Sequence, residues 1–292
     1  MFGTNEIVGK KSFKDAPAGS LFVTSIFYTL QGEGPYAGKP AVFVRLAKCN
    51  LACSFCDTFF DDGEWMTFGD IEAKIYGTIC DFWNSSGAAA PLWAVDGFNK
   101  YPGIVLVLTG GEPLLQDNIS QFMSNQLGRF AAVQVESNGI LDTTVPEGVT
   151  LVCSPKCAEK GNVAIKYFAP SKTILDRADC LKFVMSADQS SPYSSIPDWA
   201  FEWKKNHPDR EIYVSPMNIY NTLPQKIKIM RADKQGEITL KERSTVDEKI
   251  SFWEPGVLNL QENQRNHEYT GQYCAKHGLR LNLQQHIYCS LA

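Results

Sequence analysis

The sequence predicts an α/β fold, because short apolar segments alternate with segments of helical spacing. Residues 104–108 form a continuous β-branched and apolar run, which is typical of a strand buried on both faces. Residues 67–83 have isoleucine at every fourth position from 71 to 79, and Thr67 is a suitable helix N-cap. Repeated strand-then-helix units imply a parallel sheet or a partial barrel.

The other elements follow from the same patterns along the chain. Further strands are predicted at residues 21–29, 41–46, 132–136, 149–152, 180–185, 211–215 and 279–283. A polar helix is predicted at residues 117–127, and a last helix at residues 258–277.

Two segments differ in composition from the rest, and both are predicted insertions. Residues 84–102 are rich in Gly, Ala, Ser and Pro, which favours a loop or a short insertion. Of the 32 residues from 223 to 254, 13 are charged, against 21% for the whole chain, so we expect an exposed excursion. We therefore predict one domain over residues 1–292, whose core is about 21–220 and 258–292.

Composition and charge exclude several classes of protein. Apolar residues make up 44% of the chain and charged residues 21%, which excludes a disordered, collagen-like or coiled-coil chain. Apolar runs are only a few residues long, so no segment is predicted to span a membrane. The net charge of −4 gives no global basic field for nucleic acid, and we recognise no export signal, so we expect a cytoplasmic protein. Its nine cysteines are therefore expected to be reduced thiols, some of which bind metal.

Three of the cysteines lie close together in the motif C-x3-C-x2-C, at Cys49, Cys53 and Cys56. Three thiolates on one short loop hold three irons of a cubane cluster and leave the fourth iron open. A structural zinc site needs a fourth Cys or His nearby, but the next cysteine is Cys80, inside a predicted helix. The motif therefore favours an open-site [4Fe–4S] cluster over zinc, and over three small buried side chains.

Glycine-rich segments lie at two further positions. Residues 108–113 (LTGGEP) follow the buried strand, where paired glycines let the backbone approach a ligand closely; the alternative is a plain strand-ending turn. Residues 28–35 (YTLQGEGP) predict a turn between strands that offers one carboxylate and one amide. Both segments are candidate parts of a binding site.

The cysteine motif, with an aromatic residue before its last cysteine, and the GGEP segment together resemble the radical S-adenosylmethionine (SAM) superfamily. Residues 25–58 closely resemble the start of the 7-carboxy-7-deazaguanine synthase family. The matching segments there are TLQGEG at 29–34, VRL at 44–46, CNL at 49–51 and CDT at 56–58. Later matches are ESNG at 136–139, SPK at 154–156, LKFV at 181–184, SPM at 215–217 and LQQH at 283–286. The two insertions depart from the family pattern, as does Ser137, which stands where Thr is more usual.

The resemblance implies a carbon–nitrogen lyase that converts 6-carboxy-5,6,7,8-tetrahydropterin to 7-carboxy-7-deazaguanine with loss of ammonia, in 7-deazapurine (queuosine-type) biosynthesis. The implied cofactors are a [4Fe–4S] cluster, SAM and Mg²⁺; a reduced cluster cleaves SAM to a radical, which removes the substrate C6 hydrogen. The implied fold is an incomplete (β/α) TIM-like barrel of about six parallel strands, with the site at their carboxyl ends. The expected partners are the pterin substrate, a second copy in a homodimer and an electron donor such as flavodoxin or ferredoxin, but no nucleic acid and no membrane.

The same resemblance implies roles for individual residues. Cys49, Cys53 and Cys56 would hold the cluster, and Thr58 would ligate Mg²⁺ through its hydroxyl oxygen. The residues implied in SAM binding are Phe55, Gly111, Glu112, Glu136, Ser137, Asn138, Ser154, Lys156 and Met217. The residues implied in substrate binding are Leu30, Gln31, Gly32, Glu33, Arg45, Thr109 and His286. Among them, Arg45 offers a guanidinium fork for a carboxylate, and a Glu33 carboxylate would accept hydrogen bonds from the guanidine-like edge of the pterin.

Two other kinds of protein would have some of the same sequence features. A glycyl-radical enzyme activase of the same superfamily would have the cysteine motif and GGEP, but would not need the QGEG turn, Arg45 or His286. A zinc-bound, non-catalytic binding module would use only the thiols. For single residues, the alternatives are that Arg45 pairs with a core acid and that His286 simply ends a strand. Cys153, Cys157 and Cys180 also suggest a second cluster as an alternative to plain packing.

Overall fold

The computed structural model describes residues 7–13, 16–56, 58, 60–97, 99–221, 226–232, 238–244 and 258–289, with only the backbone described at 226–232 and 238–244. The strands within these residues are β1 (Ser20–Leu30), β2 (Pro40–Leu46), β3 (Glu64–Thr67), β4 (Tyr101–Gly110), β5 (Phe130–Ser137), β6 (Val149–Cys153), β7 (Cys157–Lys160), β8 (Val163–Tyr167), β9 (Cys180–Met185), β10 (Glu211–Pro216), β11 (Lys226–Ala232), β12 (Ile238–Ser244) and β13 (Arg280–Leu281). The α-helices are α1 (Phe68–Asn84), α2 (Ile119–Gln126), α3 (Lys172–Arg177), α4 (Asp198–Asn206), α5 (Leu260–His277) and α6 (Gln285–Cys289). Each strand and helix that the sequence predicts has a counterpart among them.

Nine strands form one large sheet in the order β13-β10-β9-β6-β5-β4-β2-β1-β3. The strands from β13 to β2 are all parallel, whereas β1 pairs antiparallel with both β2 and β3. Only residues 31–39 separate β1 from β2, and a parallel crossover needs a dozen or more residues, so these two strands form a hairpin. The predicted α/β fold with a mostly parallel sheet is confirmed. The predicted incomplete barrel of about six parallel strands is not confirmed, because the strands form one sheet of nine in which two pairings are antiparallel.

Strand β4 separates two apolar layers. Ile104, Leu106 and Leu108 pack into the main core together with the buried isoleucines of α1. Val105 and Val107 point to the opposite face, as alternation along a strand requires, and pack in a smaller cluster with partly buried aromatic side chains. All five side chains are fully buried, which confirms the predicted strand.

Helix α1 begins where the sequence predicts. The Thr67 side chain accepts a hydrogen bond from the Asp70 N–H (3.2 Å), and the Thr67 N–H donates to Asp70 Oδ2 (3.0 Å). This reciprocal pair is a capping box, which satisfies donors that the first turn would otherwise leave without acceptors. Thr67 is therefore confirmed as the N-cap.

The predicted insertions differ in how much of them the structure describes. Between α1 and β4 the chain runs through turns in which Leu92 is 75% exposed, as expected for a surface connection. Within residues 223–254 the structure describes the backbone of β11 and β12, which pair antiparallel; the remainder, and with it the predicted exposure, lies outside the described residues. No helix in the described part of the chain is long and apolar enough to cross a membrane.

Candidate active site

A cavity of about 500 Å³ lies at the carboxyl ends of the parallel strands. The last two residues of β4, β5 and β10 line it, as does Arg45 near the end of β2. Of the twenty residues that the sequence predicts for cluster, Mg²⁺, SAM and substrate, nineteen line this one cavity. The exception is Met217, which is buried beside Cys157 and Tyr193. The structure therefore brings residues from distant segments of the sequence to a single place.

The three cysteines of the motif all line the cavity. Cys49 is buried, whereas Cys53 and Cys56 are partly exposed. Burial raises the pKa of the Cys53 thiol to about 11, and burial also raises the pKa of Cys49, with the nearby Glu112 carboxylate as a second cause. These two thiols therefore stay protonated at neutral pH until a metal displaces their protons.

No three Cys, His, Asp or Glu side chains among the described residues converge where one metal ion would bind. A mononuclear zinc site requires such convergence, so the geometry counts against the zinc-bound module. Cluster ligands differ, because each thiolate binds a different iron and the sulfurs need not approach one atom. The three motif thiols line one cavity, as the protein ligands of a single cluster must.

The loop of the cysteine motif rests on strand β7. The Ser54 N–H donates to Glu159 Oε2 (2.8 Å), and the Phe55 ring packs edge-on against Tyr193 with centroids 5.1 Å apart. Tyr193 in turn accepts a hydrogen bond at its Oη from the Cys157 N–H (2.9 Å). These contacts fix the loop on a part of the fold that the sequence analysis did not predict to be a strand.

The remaining candidates for cluster ligands do not line the cavity. Cys153, Cys157 and Cys180 are buried at 3% exposure or less. A Cβ added at Gly139 would lie only 2.7 Å from Cys153 Sγ, so this thiol fills space against the backbone. Their burial and close packing away from the cavity support a packing role for these three thiols.

Two glycines at the end of β4 bring it close to the segment before Cys49. A Cβ on Gly111 would lie 1.9 Å from the Lys48 carbonyl oxygen, and a Cβ on Gly110 would lie 2.2 Å from the Leu46 oxygen. Gly110 also has a φ of +121°, which other residues rarely adopt. The Gly111 N–H donates a hydrogen bond to Leu46 O (2.9 Å), which stabilises this close approach of the two segments.

Gly111→Ala is expected to lower the free energy of unfolding by about 3 kcal/mol or more, because the backbone before Cys49 must move to admit the methyl group. Urea unfolding of the cluster-free protein measures the change. Gly271→Ala in α5 is the control: its Cβ would meet nothing within 4 Å, so stability should rise by about 0.5–1 kcal/mol. Similar effects of the two substitutions would contradict the close approach.

The Glu112 carboxylate is turned away from the open cavity and into the protein. Oε1 accepts hydrogen bonds from Ser137 Oγ (2.8 Å) and the Leu114 N–H (3.0 Å), and Oε2 accepts one from the Asn138 N–H (2.7 Å). Burial raises the pKa of Glu112, although these three donors oppose the rise. Asn138 Nδ2 also donates to Asn50 Oδ1 (2.7 Å), which extends the connection to the cysteine loop. Glu112 thus ties three segments of the site together.

A buried lysine joins two carboxylates across the cavity. Lys182 Nζ donates to Glu33 Oε2 (2.5 Å) and to Glu136 Oε2 (2.6 Å), and its side chain is only 8% exposed. Burial by itself raises the pKa of Glu33, but the neighbouring Lys182 ammonium outweighs burial and lowers it. Burial lowers the pKa of Lys182, but the two carboxylates outweigh this and raise it. Glu33 and Lys182 are therefore both charged at neutral pH.

The turn after β1 is covered by the end of the described chain. A Cβ on Gly32 would lie 3.0 Å from His286 Nδ1, and the Gln285 N–H donates to Gly32 O (3.3 Å). On the far side, the Arg45 guanidinium lies 5.1 Å from the centroid of the Phe27 ring, within the range of a cation–π contact. His286 therefore lies beside the turn whose residues are implied in substrate binding.

Lys156 lies on another wall of the cavity. Its Nζ donates to the Ser154 carbonyl oxygen (2.8 Å) and to Ser154 Oγ (2.5 Å). Burial lowers the pKa of Lys156. The SPK segment therefore places the Lys156 amino group and the Ser154 hydroxyl at the cavity wall, where they are hydrogen-bonded to each other.

The sequence analysis missed several cavity residues. Lys182, Ser215, Asn218, Tyr220 and Gln284 all line the cavity, although no site role was predicted for them. Lys182 had a usable signal, because a lysine inside the apolar segment CLKFVM is seldom buried without a partner. The aromatic lining had no such signal, since Phe27 and Phe43 look like ordinary strand residues.

Comparisons with known proteins agree with this geometry. No family model matches the chain. A 7-carboxy-7-deazaguanine synthase from Rhodospirillum rubrum is 34% identical over 203 residues, which cover 68% of this chain and 71% of that protein. The synthase of the same name from Rickettsia prowazekii is 34% identical over 198 residues, covering 68% of this chain and 74% of that protein.

A solved structure shows the same fold. The crystal structure of QueE from Escherichia coli matches 96% of this chain and 99% of that chain with a TM-score of 0.50, at 18% identity. This similarity concerns the fold, while the sequence similarity to the synthases of Rhodospirillum and Rickettsia extends over more than two thirds of those proteins. The chain therefore belongs to the 7-carboxy-7-deazaguanine synthase family.

Proposed function

We propose that this chain is a radical SAM lyase that converts 6-carboxy-5,6,7,8-tetrahydropterin to 7-carboxy-7-deazaguanine with loss of ammonia, in 7-deazapurine biosynthesis. The main supporting observation is that the three motif thiols line the same cavity as the Glu33–Lys182–Glu136 network. A site for SAM chemistry and a site that accepts hydrogen bonds from a planar heterocycle thus lie side by side. Membership of the synthase family supports the same reaction.

Cys49, Cys53 and Cys56 would hold the [4Fe–4S] cluster, which when bound to SAM supplies a 5′-deoxyadenosyl radical for hydrogen abstraction. Around it, the proposed SAM contacts are Phe55, Gly111, Glu112, Glu136, Ser137, Asn138, Ser154, Lys156 and Met217. The Glu112 carboxylate is only 1% exposed and is directed into the protein, where it accepts three hydrogen bonds, so a SAM contact in GGEP would use backbone carbonyl oxygens. Met217 would affect SAM binding indirectly, because it packs in the apolar cluster that also contacts Phe55.

The substrate would bind beside these residues, against the turn after β1. The proposed contacts are Leu30, Gln31, Gly32, Glu33, Arg45, Thr109 and His286. Arg45 would bind the substrate carboxylate, and Thr58 would hold Mg²⁺ next to it, because a hard cation with few protein ligands takes its remaining oxygens from substrate and water. His286 and Gln285, packed on Gly32, would exclude water from the pterin.

The remaining features of the proposal concern fold and assembly. An incomplete barrel is supported by contacts between opposite ends of the strand order: the Gly34 N–H, after β1, donates to Asn282 Oδ1, after β13 (2.8 Å). A single domain over residues 1–292, a homodimer, a flavodoxin or ferredoxin as electron donor and a cytoplasmic location all stay predictions.

Anaerobic incubation of the reconstituted protein with SAM, a strong reductant, Mg²⁺ and 6-carboxytetrahydropterin is expected to yield 7-carboxy-7-deazaguanine, identified by mass spectrometry. The reaction without SAM is the control and should yield none. SAM cleavage without this product would contradict the proposed substrate and favour a glycyl-radical enzyme activase. A colourless protein that binds one zinc would contradict the radical mechanism altogether.

A further inference from the structure

Lys182 has a position that the proposed reaction does not by itself explain. It lies on β9, its side chain is almost fully buried, and it donates to one carboxylate from the turn after β1 and to another from the end of β5. We propose that Lys182 is a positioning residue, which holds Glu33 and Glu136 together as a paired acceptor for the guanidine-like edge of the substrate. This inference rests on the proposed function.

The charges of the network support a role in binding. A buried ammonium needs a partner, but one carboxylate would be enough to neutralise it. Here two carboxylates share one cation, so the group of three has a net charge of −1. Glu33 and Glu136 keep side-chain exposures of 15% and 16%, and both line the cavity. Two carboxylates bound to one ammonium therefore face the space where a ligand binds, and they favour a ligand that donates hydrogen bonds. The Lys156 ammonium on another wall of the cavity offsets part of their charge.

The remaining contacts of the two carboxylates are made by neutral amides. Glu136 Oε1 accepts hydrogen bonds from Gln134 Nε2 (3.0 Å) and from Gln31 Nε2 (3.4 Å), while Glu33 bonds to Gln284. These amides belong to different elements and each contacts only one carboxylate in these bonds. Lys182 is the contact that both share, so it sets the distance between them.

The chemistry of the ligand follows from this arrangement. The pyrimidinone edge of a pterin presents a 2-amino group and a ring N–H in one plane, which are two adjacent donors. Two carboxylates held by one ammonium offer acceptors whose spacing does not relax when the ligand leaves. Such preorganisation strengthens binding, because the acceptors need not be ordered again for each ligand. Lys182 would therefore act on the affinity for the 2-amino group of the substrate.

The test is a cycle of two proteins and two ligands. The wild type and Lys182→Met are titrated anaerobically with 6-carboxytetrahydropterin and with its analogue that lacks the 2-amino group. The wild type should prefer the substrate by about 10- to 100-fold, the range expected for a hydrogen bond to a charged group, and Lys182→Met should prefer it by less than about 3-fold. In Lys182→Met, the KM for substrate should rise while bound iron stays within about 2-fold of wild type.

Three outcomes decide the proposal. If Lys182→Met loses the same factor of affinity for both ligands, Lys182 has only a structural role and the proposal is wrong. Should Lys182→Met fail to fold, Lys182→Gln, which keeps a donor for one carboxylate, is titrated in its place, with the same expectation. Lys172→Met, which removes a lysine that is exposed on α3, is the matched control and should leave both affinities unchanged. A wild type that binds neither pterin contradicts the proposed function itself, and is thus distinguishable from a failure of the role of Lys182.

Discussion

Cys53→Ala is expected to abolish SAM cleavage and to reduce bound iron far below the roughly four atoms per chain of a reconstituted [4Fe–4S] protein. The physical reason is that the motif offers only three thiols, so the loss of one leaves two irons of the cubane without protein ligands. Among the described residues, the cysteines that line the cavity are Cys49, Cys53 and Cys56, so no fourth thiol there can replace Cys53. Iron analysis, visible absorption and chromatographic detection of 5′-deoxyadenosine measure the outcome.

Cys274→Ala is the matched control for this loss. Cys274 is 3% exposed and lies in α5, away from the cavity lining. Its substitution removes a buried thiol outside the cavity, at a cost of about 1 kcal/mol of stability or less. Iron content and SAM cleavage should therefore remain. Wild-type iron content in Cys53→Ala, or an equal loss in Cys274→Ala, would show that the motif thiols do not hold the cluster.

The sequence was most informative where the site is built from contiguous segments. The cysteine loop, the QGEG turn and the GGEP turn each contain their functional groups within a few residues, so spacing alone predicts them. Nineteen of the twenty predicted residues line one cavity because the carboxyl ends of neighbouring parallel strands meet at one edge of the sheet. Local patterns and a rule of sheet topology are sufficient for that result.

The features that were missed depend on contacts between distant segments. The role of Lys182 follows from the strand order. Only β6 separates β9, which contains Lys182, from β5, which contains Glu136. Nothing near residue 182 in the sequence indicates that neighbour. The direction of β1 was also not predicted, since the parallel expectation considered the apolar pattern and not the short connection to β2.

The orientation of a side chain within a recognised motif is equally hard to predict. The resemblance implies that Gly111 and Glu112 bind SAM, yet the Glu112 side chain points to Ser137 and Asn138 at the end of β5. That direction is set by donors which the neighbouring strand provides, and these are visible only once the sheet is assembled. A motif therefore predicts where a site lies more reliably than which atoms of it meet the ligand.

Glu112→Ala is expected to lower the free energy of unfolding by about 3–5 kcal/mol. The substitution removes the acceptor of three hydrogen bonds and leaves the Ser137 hydroxyl and the N–H groups of Leu114 and Asn138 buried without it. Because Glu112 is 1% exposed, water cannot readily replace the carboxylate. The midpoint of urea unfolding of the cluster-free protein should fall, while its slope with urea concentration stays the same.

Glu202→Ala is the control, because Glu202 is an exposed residue of α4 and its removal should change stability by no more than about 0.5 kcal/mol. In Glu112→Ala the loss should extend to the cluster, because Asn138 also holds Asn50 beside Cys49. The reconstituted variant is therefore expected to release iron faster than wild type when a chelator is added. A variant of near wild-type stability that retains iron but no longer binds SAM would instead assign the Glu112 carboxylate to SAM. Loss of both stability and iron retention would show that the Glu112 carboxylate has a structural role, in which it connects the GGEP turn to the end of β5 and, through Asn138, to the cysteine loop.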